Sequence, residues 1–232
     1  MSDLIKEINK LSKSGKILVK KDGSFYTRGD LDLWGCKGLK SLPDNLTVGG
    51  DLNLWGCTSL KSLPENLKVD GDLNLRECKG LESLPDNLEF GGYLNLMGCT
   101  SLKSLPDNLE FGGDLNLWEC KGLESLPDNL KVGGSLGLEG LGLESLPENL
   151  KVGGSLNLRQ CTSLKSLPEN FKVDGDLYLN GCTGLKSLPE NLKVGGDLDL
   201  EGCTLLPFNE SKFEILGDYE IASVAVDYIM ND

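Results

Sequence analysis

The sequence predicts an α/β solenoid: about nine stacked coils of 21 residues, mostly strand and extended chain, with one parallel β-sheet face and a short capping helix at each end. Three observations predict it. Proline recurs at 43, 64, 85, 106, 127, 147, 168 and 189, in steps of 21 residues with a single step of 20. The unit around it reads D-L-x-L-x-x-C-x-x-L-x-S-L-P-(D/E)-N-L-x-V-x-G and starts at Asp30, Asp51, Asp72, Tyr93, Asp114, Ser135, Ser155, Asp176 and Asp197. One such unit buries too little apolar surface to offset the entropy of ordering it, so it must stack on its neighbours.

Residues 1–29 read as an N-terminal cap. In SDLIKEINKL, Ser2 is placed to cap a short helix whose Leu4, Ile5, Ile8 and Leu11 share one face. SFYTRG at 24–29 then mimics NLTVGG at 45–50 as a half-coil. The coils occupy 30–207. In the first of them the step of two from Leu31 to Leu33 is strand alternation, and Pro43 argues against a helix beyond its first turn. Each coil is therefore a short strand, a bend, an extended return and a glycine corner. Leu46-Thr47-Val48 alternates as well, which leaves a second short strand open. The ninth unit is cut short after Cys203, where CTLLPF drops three residues relative to CTGLKSLPE. Residues 208–232 read as a C-terminal cap, with Tyr219 or Ile221, Val224, Ala225, Tyr228 and Ile229 fitting a second helix.

Composition narrows the function. With 39% hydrophobic and 25% charged residues the chain is globular, and no run of eighteen apolar residues predicts a membrane-spanning helix. MSDLIKEINKLSKSGK mixes charge into every turn, unlike a signal peptide, so a cytoplasmic address is expected, with delivery into a host cell left open. Net charge is −13. Residues 1–29 carry +4 and residues 205–232 carry −5, which leaves −12 for the coils between them. Such a surface repels nucleic acid and anionic membrane and favours a protein partner with a basic or mixed surface.

LNLWGCTSLKSLPENL, residues 52–67, resembles the leucine-rich-repeat signature L-x-x-L-x-L-x-x-(N/C)-x-L. The cysteine variant L-x-L-x-x-C-x-x-L-x-x-L-P is similar to the cysteine-containing repeats of plant immune receptors. Its short period and recurrent L-P resemble the compact bacterial LPX-type repeats of secreted effectors. Near-identical tandem coils of this kind are also associated with bacterial and phage-encoded proteins. The resemblance implies a right-handed coil and an effector or inhibitor that works by binding. Two features depart from the family: Val48 to Leu52 is a step of four where the family has three, and a helical convex side has no room.

Stacking turns each repeat position into a column. The cysteines at 36, 57, 78, 99, 120, 161, 182 and 203 have no C-x-x-C pair and no histidine to complete a metal site, so they read as compact buried residues. The Gly-Gly pairs read as corners, Asn45, Asn66 and Asn87 as a hydrogen-bonding ladder at a turn, and the Asp column as carboxylates held by their own turn's N–H groups. CTSLKS alternating with CKGLES suggests duplication of a 42-residue block.

The freest column follows the second strand leucine: Trp34, Trp55, Arg76, Met97, Trp118, Glu139, Arg159, Asn180, Glu201. Alternation points it outward. It holds all three tryptophans, with arginine and methionine beside them, and Tyr93 and Tyr178 lie in adjacent columns. These types are enriched where proteins bind proteins. The expected partner-binding residues are Trp34, Trp55, Arg76, Tyr93, Met97, Trp118, Arg159 and Tyr178. No nucleophile–base pair, metal spacing or nucleotide loop is legible, so no enzyme, cofactor or metal is expected, and the oligomeric state is open. Two alternatives are an acidic decoy that blocks a nucleic-acid-binding protein and a cation or small-ligand sensor on the Asp and Asn columns.

Overall fold

The computed structural model describes residues 3–107 and 109–206, with the backbone of 214–215. It is a β-solenoid. Eight complete coils stack, and a ninth contributes its first strand and a short return strand, Glu214–Ile215. That strand, residues 198–199, ends a nine-stranded sheet that begins at residues 31–32. All nine are parallel and in register, so Leu31, Leu52, Leu73 and Leu94 lie over one another.

The second short strand left open at Leu46-Thr47-Val48 is present. The return segment forms strands as well, giving a second face built from a five-stranded and a six-stranded sheet. Leu46 and Val48 point inward and Thr47 outward, the alternation that a half-buried strand requires. The hydrophobic core lies between the two faces and takes in the strand leucines, the valines and the cysteines. Between residues 89–90 and 110–111 the second face is interrupted. There phenylalanine replaces valine in two successive coils. Phe90 and Phe111 are only half-buried and tilt against each other, with ring centroids 4.7 Å apart.

Helix α1, Asp3–Leu11, buries Ile5 and Ile8 against the first coil, while Leu11 is exposed rather than on the packed face. Ser2 and the expected C-terminal helix lie outside the described residues. Asn9 grips both backbone groups of one residue after the helix: its amide donates to the Ile17 carbonyl at 2.9 Å and its Oδ1 accepts from Ile17 N at 2.7 Å. Strands β1, Leu18–Val19, and β2, Phe25–Thr27, then pair antiparallel. Strand β2 also lies parallel to 46–48, Phe25 opposite Leu46 and Thr27 opposite Val48, as the mimicry of SFYTRG predicts. Ser14 bridges Asp32 antiparallel at the start of the nine-stranded sheet, which covers an edge that would otherwise be open.

The columns explain the conserved letters of the unit. Each thiol from Cys57 onward donates to the carbonyl of the second strand leucine in the preceding coil, as in Cys57 to Leu33 at 3.3 Å and Cys99 to Leu75 at 3.1 Å. Cys36 has no coil before it, and its thiol reaches the carbonyl of Leu11 at the end of α1 instead, at 3.8 Å. The helix thus supplies the acceptor a missing coil would have offered.

The Asp column works between coils, not within a turn as expected. Asp30 accepts from the Asp51 amide at 2.8 Å, Asp51 from Asp72 at 2.8 Å, and Asp72 from Tyr93 at 2.8 Å. The glycine before each new unit makes room for this bond, since a Cβ at Gly50 would lie 2.2 Å from the Asp30 carboxylate. Corner glycine and aspartate are one device in two letters. The turn ladder of Asn45 and Asn66 is also present, with Asn66 Nδ2 donating to Asn45 Oδ1 at 3.1 Å. The 42-residue alternation has a steric side too: a Cβ at Gly80 or Gly122 would lie 2.5 or 2.6 Å from the carbonyl of Thr58 or Thr100 in the coil before.

Candidate functional site

The outward column is aimed by the residue two positions before it. Asp32 Oδ1 accepts the N–H of Trp34 at 3.0 Å, and Asn53, Asn74 and Asn116 do the same for Trp55, Arg76 and Trp118 at 3.2, 3.1 and 2.9 Å. This side-chain turn ends the strand and throws the variable side chain out of the sheet. The side chains of Asn53, Asn74 and Asn116 are therefore engaged in structure.

The next residue is left-handed in coil after coil: φ is +73° at Gly35, +72° at Gly56 and +73° at Gly98, but also +57° at Glu77, +58° at Glu119 and +58° at Gln160. A side chain there is strained by about 1–2 kcal/mol, partly offset by the entropy glycine loses on folding. Glu77→Gly, Glu119→Gly and Gln160→Gly are each expected to stabilise the fold, by up to about 1 kcal/mol, measured as a raised midpoint in urea. A lowered midpoint in all three would contradict the geometry.

The three tryptophans face water, 46% exposed at Trp34, 36% at Trp55 and 37% at Trp118. Trp34 and Trp55 lie against each other with ring centroids 5.7 Å apart, tilted by 42°. Lys13 caps this pair at one end, its Nζ 3.5 Å from the Trp34 ring centre, and Arg76 at the other, its guanidinium carbon 4.9 Å from Trp55. The result is a continuous strip of cation, indole, indole and cation. Lys13 belongs to the N-terminal segment, outside the repeat, so no column of the sequence could have pointed to it. Arg76 is half-buried in the strip, and its Nε is shielded from water without a hydrogen-bond partner.

Further along, Arg159 stacks on Tyr178 at 4.3 Å, donates from Nε to Asn180 Oδ1 at 2.8 Å, and lies 3.9 Å from Asp199. The Tyr178 hydroxyl donates to Asp176 at 2.8 Å. That bond raises the phenol's pKa above its ordinary value, while the amide of Asp197, ahead of the phenol, holds the Asp176 carboxyl low. These two expected binding residues are tied into a network of their own. Met97 is half-buried between them and the indole pair.

Tyr93 and Trp118 flank a third feature. Coil six carries glycine at 137 where its neighbours carry Asn116 and Asn157, and a notch of about 210 Å³ opens over it. Burial there raises the Tyr93 phenol above its ordinary pKa, partly countered by a hydrogen bond with Asn116. Asp114 and Glu139 stand at the notch walls. A larger hollow of about 410 Å³ at the N-terminal cap has no aromatic wall, and its charged residues, Lys16, Arg28 and Asp30, are of both signs.

Among the described residues no group of histidine, cysteine or acidic side chains is placed to hold a metal ion. No helix among them is long and apolar enough to cross a membrane. All eight cysteines are free, and burial pushes the thiols of Cys57, Cys78, Cys120 and Cys182 up to about 12. Such thiols hold their protons at neutral pH and are poor nucleophiles. In comparison with known proteins, no family model, no curated protein and no solved structure matches the chain. Its class is defined by its own architecture: a repeating parallel-strand solenoid with leucine at the strand positions and cysteine in the core.

Proposed function

We propose that this solenoid is a non-enzymatic protein-binding module of the leucine-rich-repeat kind, which docks a protein partner on the outward column of its nine-stranded sheet. The observation that carries the reading is the exposed Trp34–Trp55 pair held between Lys13 and Arg76. Indoles left in water on a rigid sheet, with their orientation already set by flanking cations, lose little entropy when covered by a partner. The partner's surface is basic or mixed, given the −13 net charge of the chain. An effector or inhibitor of bacterial or phage origin is the role that the compact repeats support. A nucleic-acid-mimicking decoy fits less well, because Lys13, Arg76 and Arg159 interrupt the acidic surface along this face.

Affinity purification from the protein's own host, with wild type and a Trp34→Ala/Trp55→Ala variant side by side, tests the reading. Both side chains are exposed, so the variant is expected to keep its circular dichroism and melting temperature while losing the partners that wild type retains. Full retention of the same partners by a folded variant would reject the face.

A further inference from the structure

The aromatic residues of the sheet face fall into two groups. Trp34, Trp55 and Tyr178 each already carry a cation from the chain itself: Lys13, Arg76 and Arg159. Among the described residues Tyr93 and Trp118 carry none, and these are the two that flank the notch over Gly137. The acidic groups divide in the same way. Asp114 spends one oxygen on the Ser135 amide at 2.7 Å, and Glu139 spends one on Asn157 Nδ2 at 3.2 Å. Among the described residues neither forms an ion pair, and no lysine or arginine lines the notch. Two aromatic walls and two uncompensated carboxylates thus meet around a gap that a missing side chain has left. A cation in that gap would gain on both counts, from the ring faces and from charge-assisted hydrogen bonds.

We propose that the notch over Gly137 receives a single basic side chain, lysine or arginine, projecting from the protein partner. At about 210 Å³ it is smaller than the roughly 300–1,000 Å³ of small-molecule pockets and has the scale of one side chain. The proposal rests on the binding-face reading above and names the chemistry that one part of that face selects. Gly137 is the determinant. A Cβ there meets nothing closer than Asn116 Oδ1 at 3.4 Å, an ordinary contact, so Gly137→Asn closes the notch with the side chain its neighbours carry and leaves net charge unchanged.

The test uses the full chain with Trp34→Phe and Trp55→Phe, which makes Trp118 the sole indole. Its fluorescence is followed while acetyl-Gly-Arg-Gly-amide, the lysine counterpart, or the uncharged citrulline counterpart is added. A saturable change with the arginine or lysine peptide is expected, with none for citrulline. Gly137→Asn and Glu139→Gln are each expected to weaken it by about tenfold, the scale of a partly buried cation–π or charge-assisted contact. Equal responses to arginine and citrulline, no saturable response to any peptide, or a response untouched by Gly137→Asn would overturn the notch. A host partner that is lost by Trp34→Ala/Trp55→Ala yet held at full strength by Gly137→Asn would reject the notch while leaving the binding face intact.

Discussion

Between pH 9 and pH 12 the protein is expected to unfold, with its buried thiols as the cause. Cys57, Cys78, Cys120 and Cys182 are pushed up to about 12 and Cys161 and Cys203 to about 11, all chiefly by burial, from an ordinary value of 9.0. Cys99 is pushed up as well. A thiol with a raised folded pKa binds its proton more tightly in the folded state than in the unfolded one. Stability is then complete below the unfolded value, near pH 9, and falls as pH rises toward the folded value. Each thiol held near 12 withdraws up to about 4 kcal/mol across that window. Total stabilities of about 5–15 kcal/mol leave room for only a few of them. Deprotonation also removes the donor from each bond to a carbonyl of the coil before.

The measurement is a pH titration that records thiolate absorbance and far-ultraviolet circular dichroism together. Cys36, the one thiol of the eight that is half-buried where the others are buried, is expected to titrate first. The remaining thiolates are expected to appear only as the dichroism is lost. Thiolates that form near pH 9 with the dichroism intact would show that the column is wetter than the structure has it.

The second large effect is steric. A Cβ at Gly91 would lie 2.2 Å from the carbonyl oxygen of Asp70 and 3.1 Å from its carbon. That neighbour is backbone of the adjacent coil, held by a ladder bond from Gly91 N to Val69 O at 3.0 Å, and cannot swing aside as a side chain would. Gly91→Ala is therefore expected to cost about 3 kcal/mol, near the upper end for overpacking, and to lower the urea midpoint clearly. Gly142→Ala supplies the contrast. Nothing lies within 4 Å of a Cβ there, so the same substitution is expected to be neutral or to stabilise by about 0.4–1 kcal/mol through the unfolded chain. Equal effects at the two positions would mean that the coils do not approach as closely as described.

Much of the fold was legible because a period repeated eight times averages out local ambiguity. Leucines two apart read as a strand wherever they occur, and the tryptophan column had to be outward once those leucines were inward. The second sheet face was only half legible: Leu46-Thr47-Val48 alternates, yet most returns are two-residue strands that no pattern of that length can establish alone. The Asp column was placed in the right structural role with the wrong partner. A carboxylate's nearest N–H groups in the chain belong to its own turn, and only the stacking distance brings the next coil's amide closer.

The candidate site divides in the same way. Trp34, Trp55 and Trp118 could be picked out because nothing in a repeat of fixed core letters calls for an indole. Lys13 could not, since it lies outside the repeat and reaches Trp34 only because α1 folds back over the first coil. The notch could not be read either: Gly137 is one glycine where the neighbouring coils carry asparagine, and a single letter has no walls.

The sequence by itself determined the solenoid, its register and the outward position of the variable column, because each follows from the periodicity of apolar side chains along one chain. The tertiary structure alone decided what meets across coils: the thiol-to-carbonyl column, the carboxylate-to-amide ladder, the break at Phe90 and Phe111, and the cations on Trp34, Trp55 and Tyr178 of the nine-stranded sheet face. Those contacts join residues about 20 positions apart whose separation is set by how one coil settles on the next, and packing distance leaves no mark in the order of the letters.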